Sequence, residues 1–135
     1  MDKKFLKKII AQSQEDLQII SACCSGAKLK TNDIKYLSSN KIFLLSISRL
    51  NKEAEDKKRI INSIIKFDSI ESSKSKNIDQ NDLDSILELF AIKVFKREHN
   101  FEITLLFSKN RIITLSAELI DVTLEDQKFI NDKNT

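Results

Sequence analysis

Residues 33–50, DIKYLSSNKIFLLSISRL, switch the chain from helical to strand periodicity. Phe43, Leu45 and Ile47 alternate with Ile42, Leu44, Ser46 and Ser48, so apolar side chains line one face of an extended segment. Ser38, Ser39 and Asn40 separate two apolar runs, and small polar residues of this kind reverse a chain. The stretch is predicted to be a hairpin. It serves mainly as scaffold, and Ser46, Ser48 and Arg49 on its outer face form a candidate surface.

Downstream the strand period recurs. RIINSIIKFDSIES (59–72) sets Ile61, Ile65 and Phe67 against Asn62, Lys66 and Asp68, which predicts a strand with one wetter face. SILELFAIKVFK (85–96) predicts a strand with Ile86, Phe90, Ile92 and Val94 on one side. REHN (97–100) turns the chain, and FEITLLF (101–107) with RIITLSAELIDVTL (111–124) predicts a second hairpin around SKN. In it Phe101, Ile103, Leu105 and Phe107 alternate, as do Ile113, Leu115, Ala117 and Leu119. Phe43, Leu45, Phe90, Ile92, Ile103, Leu105, Ile113 and Leu115 are the expected core. The polar segment SSKSKNIDQNDLD (72–84) is expected to be a loop.

Upstream, Phe5 to Gln12 predicts a short strand. Ser13 followed by Asp16 approximates a capping box. Leu17, Ile20 and Cys24 then fall at helical spacing, with Ile19 and Cys23 beside them, which predicts a helix from Gln14 to Cys24. Gly26, the only glycine, sits where a left-handed residue ends a helix. The order is strand, helix, then about six strands joined by short connections. Short connections favour antiparallel pairing. The fold class is therefore α+β, predominantly an antiparallel meander with one N-terminal helix. One helix covers only part of such a sheet, so the strands must curl into a partial barrel, of which a PH-like form is one, or split into two packed layers. The domain is expected to span residues 1–126, with 127–135 a polar tail that frays.

A chain of 135 residues supports one domain, and 41% hydrophobic with 32% charged residues fits a globular one. Lys7 and Lys8 break the N-terminal apolar run that a secretory signal needs, and no run approaches the roughly 18 residues of a membrane span. The expected location is the cytoplasm, with no membrane partner. Cys23 and Cys24 are adjacent and are the only cysteines, so they read as small residues on a helix rather than a disulfide or metal pair.

Catalytic constellations are lacking. One glycine excludes a phosphate-cradling loop. His99 lies in a predicted turn. Asp79, Asp82 and Asp84 lack the glycine and distal glutamate of a calcium loop and read as solvated charges. Glu118 and Asp121, read as strand residues of opposite parity, would face apart. No catalytic, cofactor or metal residue is assigned. The net charge of +3 comes from lysine far more than arginine, and abundant Lys, Asn and Ile fits an AT-rich codon bias. Three basic clusters stand out: Lys3, Lys4, Lys7 and Lys8; Lys57, Lys58 and Arg59; Lys74 and Lys76.

Two functions are compatible with this pattern. One is a non-enzymatic binding or adaptor module that meets another protein through a sheet edge or the helix face. The other is a nucleic-acid or anion binder using the lysine clusters. The candidate binding residues are Lys74, Lys76 and Asp79 in the central loop, with Arg49, Lys57, Lys58 and Arg59.

EDLQIISA, LKTNDIKYL, FLLSISRL, KNID, LELFAIKV, ITLLF and IITLSAELIDVTLED follow one another in an order that resembles the alphaproteobacterial domain-of-unknown-function family DUF2948. The resemblance covers about Lys4 to Asp126. It implies an acidic residue near Gly26, glycine where Asn77 stands, a glycine-rich turn at Ser108–Asn110 and an aromatic at Asn51 or Lys52, and this chain departs from each. Asparagine tolerates positive φ, so the turns are expected to survive. The resemblance implies no activity, substrate, cofactor or partner.

Overall fold

The computed structural model describes residues 6–50 and 60–129. Lys3, Lys4, Asn51, Lys52, Lys57, Lys58 and Arg59 lie outside the described residues.

Helix α1 spans Gln14–Cys24, the predicted range. Ser13 Oγ accepts the Asp16 N–H at 3.1 Å, and Asp16 Oδ2 accepts the Gln12 N–H at 3.5 Å, so donors at the helix start are satisfied by local side chains. Leu17, Ile20 and Cys24 are buried and Cys23 is half-buried. Gly26 ends the helix at φ +90°, with no heavy atom within 4 Å of where a Cβ would stand. Gly26→Ala is therefore expected to cost about 1 kcal/mol through the dihedral alone, with no steric addition. Its urea midpoint, compared with wild type, checks this.

Among the described residues the strands are β1 (Lys8–Ala11), β2 (Ala27–Lys30), β3 (Ile34–Leu37), β4 (Ile42–Leu50), β5 (Ile60–Phe67), β6 (Ile70–Lys76), β7 (Ile86–Lys96), β8 (Phe101–Phe107), β9 (Arg111–Ala117) and β10 (Val122–Phe129). They form one curled, unclosed antiparallel sheet in the order β1-β10-β5-β4-β2-β7-β8-β9-β6, with β3 on β4. The hairpin at 33–50 is β3 and β4, turned by Ser38–Asn40 and by Lys41 at φ 58°. β2 joins two halves: it pairs with β7 over four positions and with β4 only at Lys28 and Ser48. The inner face is apolar. Phe43 meets Phe67 edge-on at 5.9 Å, and α1 packs its buried side against β7 and β1.

Two continuous strands of the sequence reading are each two strands around a corner. β5 passes to β6 through Asp68 and Ser69, the latter at φ 61°. β9 passes to β10 through Glu118–Asp121. The corners lie side by side: Asp68 N–H donates to Asp121 O, and Glu118 N–H to Ser69 O, both at 2.9 Å. Leu119, expected inside, is consequently 60% exposed. Glu118 and Asp121 are corner residues, and Glu118 sits 3.5 Å from the Lys41 ammonium.

Three further expectations are corrected. Ser72 to Lys76 is not loop but β6, the last strand of the sheet path, whose polar residues suit a largely exposed strand. The boundary at 126 falls inside β10, which pairs with β5 as far as Phe129. Phe90 is 50% exposed and Ile86 57%, while Leu87 and Leu89 are buried. A register shift between Leu89 and Ala91 adds one residue and reverses the alternation, so Ile92 and Val94 return inward.

The turns behave as expected of glycine-poor ones: Asn77 has φ 65°, Lys109 62° and Asn110 58°. No helix among the described residues is long and apolar enough to cross a membrane.

Candidate functional site

The described residues among those singled out in the sequence, Lys74, Lys76, Asp79 and Arg49, do not converge. Lys74 and Lys76 share one face of the exposed strand β6. Lys74 borders a cleft of about 170 Å³ with Asn100, Thr114 and Ser116. Asp79 lies beyond β6, and its Oδ1 accepts the Asn81 N–H at 2.9 Å, closing its own loop. No ion pair links it to either lysine.

Arg49 is not a surface residue. It follows Phe43, Leu45 and Ile47 in odd parity, so it points inward and is 1% exposed. Arg49 Nε donates to Asp126 Oδ1 at 3.2 Å and Nη2 to Oδ2 at 3.0 Å. Ser63 Oγ donates to Asp126 Oδ1 at 2.6 Å, and the Lys7 N–H to Oδ2 at 2.8 Å. This buried cluster ties β4, β5 and β10 to the residue preceding β1. Ser46 and Ser48 do border a surface groove of about 470 Å³ where β2 diverges from β4. Two lysines on its rim are opposed by carboxylates, Lys28 by Glu88 at 3.9 Å and Lys30 by Asp84 at 3.8 Å.

A larger groove, about 540 Å³, runs between α1 and β7. Leu17, Gln18, Ser21 and Ala22 form one wall, and Phe90 to Phe95 the other. The bulge and the start of β2 create it. β2 begins at Ala27 and covers β7 only from Ile86 to Leu89. From Ala91 to Lys96, β7 pairs with β8 alone among the described residues. The Ile92 N–H points away from β8 and donates to Ser21 Oγ at 2.9 Å. Backbone direction alternates along a strand, so Val94 also turns its N–H and C=O to the groove. Phe90 and Phe95 are half exposed at its two ends, and Lys93 is its one charged lining residue among those described. Arg97 lies 5.9 Å from the Phe95 ring centroid.

The sequence reading missed this site because it placed Phe90 in the core. The signal was the break in LELFAIKVF, where no single alternation buries every large side chain. His99, by contrast, stands exposed in its turn as read.

The model of a family described as "Protein of unknown function (DUF2948)" matches residues 7–133. No curated protein and no solved structure matches the chain.

Proposed function

Since the chain belongs to the DUF2948 family, a family of unknown function, its role has to be read from its residues, and we propose that it is a cytoplasmic, non-enzymatic binding module that takes an extended segment of a protein partner along β7. The observation that carries this reading is the one-sided pairing of β7 beside a groove. On this edge Ser21 Oγ holds the Ile92 N–H, while Val94 turns its N–H and C=O to the groove. An extended peptide that adds here takes the place of the Ser21 hydroxyl at Ile92 and completes Val94, with the neighbouring wall selecting side chains. Free edges are ordinarily blunted by charge and by bulges, and Lys93 and the bulge fit that pattern. Phe90 and Phe95 do not, because edge protection gives no reason to expose two aromatic rings beside the open backbone.

The reading of the lysines as an anion or nucleic-acid surface gains less support. Strand β6, which carries Lys74 and Lys76, has no aromatic side chain to stack a base, and Phe67, the aromatic that follows the 57–59 cluster in sequence, is buried.

Capture from the native extract, with partners identified, tests the proposal when wild type is compared with Gln18→Trp and Val94→Pro. Gln18 is exposed, so tryptophan there fills the groove without entering the core. Proline at 94 removes the groove-facing N–H. The expected result is a partner held by wild type and lost from both variants, whose bound segment slows hydrogen exchange at the Val94 amide. A partner retained by Gln18→Trp would overturn the assignment of this edge.

A further inference from the structure

We propose, resting on strand addition at β7, that the segment accepted there carries an acidic residue flanked, two positions to either side, by aromatic or large aliphatic residues. The pattern follows from the parity of β7. Beyond the bulge, Ile92 and Val94 point inward and are buried, while Ala91, Lys93 and Phe95 point outward. A residue laid directly opposite another in a strand pair projects from the same face, and such pairs interact. The residue opposite Lys93 therefore meets an ammonium group. Among the described residues Lys93 makes no ion pair and no other charged side chain lines the groove. A carboxylate is the complement.

The residue opposite Phe95 lies against an aromatic ring that is 47% exposed. On the other side, Ala91 is small, and the room it leaves is bounded by the bulged, half-exposed Phe90. An apolar side chain covers exposed ring surface at either place. The residue opposite Ile92 takes the place of the Ser21 hydroxyl on that N–H, and the two intervening residues turn toward α1, so small side chains fit them. The order is apolar, small, acidic, small, apolar. Strand parity is the same in both chain directions, so the order reads alike for parallel and antiparallel addition.

The probes are two synthetic peptides, Ser-Phe-Ala-Asp-Ala-Phe-Ser and its counterpart with lysine in place of the central aspartate, both blocked at their ends. They are titrated into wild type and Lys93→Glu by calorimetry at low salt. Wild type is expected to bind the aspartate peptide about fivefold more tightly, and Lys93→Glu to reverse the order. Added salt should shrink both preferences, since the pair is at the surface. Equal binding of the two peptides, or an order unchanged in Lys93→Glu, overturns the acidic selectivity. Strand addition itself survives that result if both peptides still slow exchange at the Val94 amide and both are blocked by Gln18→Trp. Absence of binding by either peptide at millimolar concentration overturns the inference, and binding that leaves the Val94 amide unprotected overturns strand addition with it.

Discussion

Asp126→Ala is expected to lower stability by about 3–5 kcal/mol, the range for removing one partner of a buried ion pair. Its carboxylate receives two guanidinium N–H groups from Arg49, the Ser63 hydroxyl and the Lys7 N–H. Truncation takes this acceptor away from the guanidinium, the hydroxyl and the amide, in a region the solvent barely reaches. The charge dominates, because a buried ion that loses its carboxylate costs more than a neutral donor that loses an acceptor. Small domains hold only about 5–15 kcal/mol in total, so the variant should be partly unfolded at physiological temperature. Urea denaturation measures the loss. A double variant, Arg49→Met with Asp126→Leu, should recover most of it, since apolar residues of similar volume often replace a buried pair at little cost. A loss under about 1 kcal/mol in Asp126→Ala would mean that the cluster contributes little.

This cluster also shows where the sequence stops being legible. Parity alone places Arg49 inward beside Phe43, Leu45 and Ile47, yet arginine is so rarely buried that the surface is the natural reading. What reverses it is Asp126, 77 residues away, and that separation cannot be read from either residue. The corners at Asp68–Ser69 and Glu118–Asp121 are hidden for a related reason. Apolar residues continue across them, so periodicity registers one long strand where the chain crosses from one half of the sheet to the other. Local signals were fully legible: Ser13 and Gly26 bracket α1, and Asn77 and Asn110 take the positive φ their turns require. The groove was legible only in part. Its aromatic residues were visible in FAIKVF, but their exposure depends on a bulge and on β2 ending its cover at Leu89.

Phe43→Ala and Phe90→Ala are expected to differ by at least about 2 kcal/mol, although both delete a phenylalanine from a strand. Phe43 is 1% exposed, lies edge-on to Phe67 at 5.9 Å and has Tyr36 at 6.3 Å on its other side. Its removal leaves a cavity between two strands that pair directly, Phe43 standing opposite Phe67. Strand backbones held by ladder hydrogen bonds on both sides collapse poorly into such a space, which puts the cost near the usual 3–5 kcal/mol for phenylalanine truncation. Phe90 is half exposed at a bulge whose extra residue has no partner on β8. Truncation there removes area already in contact with water and opens no cavity, so the change should stay within about 0.5 kcal/mol. The two variants separate stability from binding. Phe43→Ala should lose partner capture only as it unfolds, whereas Phe90→Ala should melt with wild type and still bind the Phe-Ala-Asp-Ala-Phe peptide more weakly. If Phe90→Ala instead unfolds at a much lower urea concentration, the ring belongs to the core and the bulge is misplaced. The groove would then lose one of its two aromatic ends, and the case for an exposed recognition edge on β7 would fall with it.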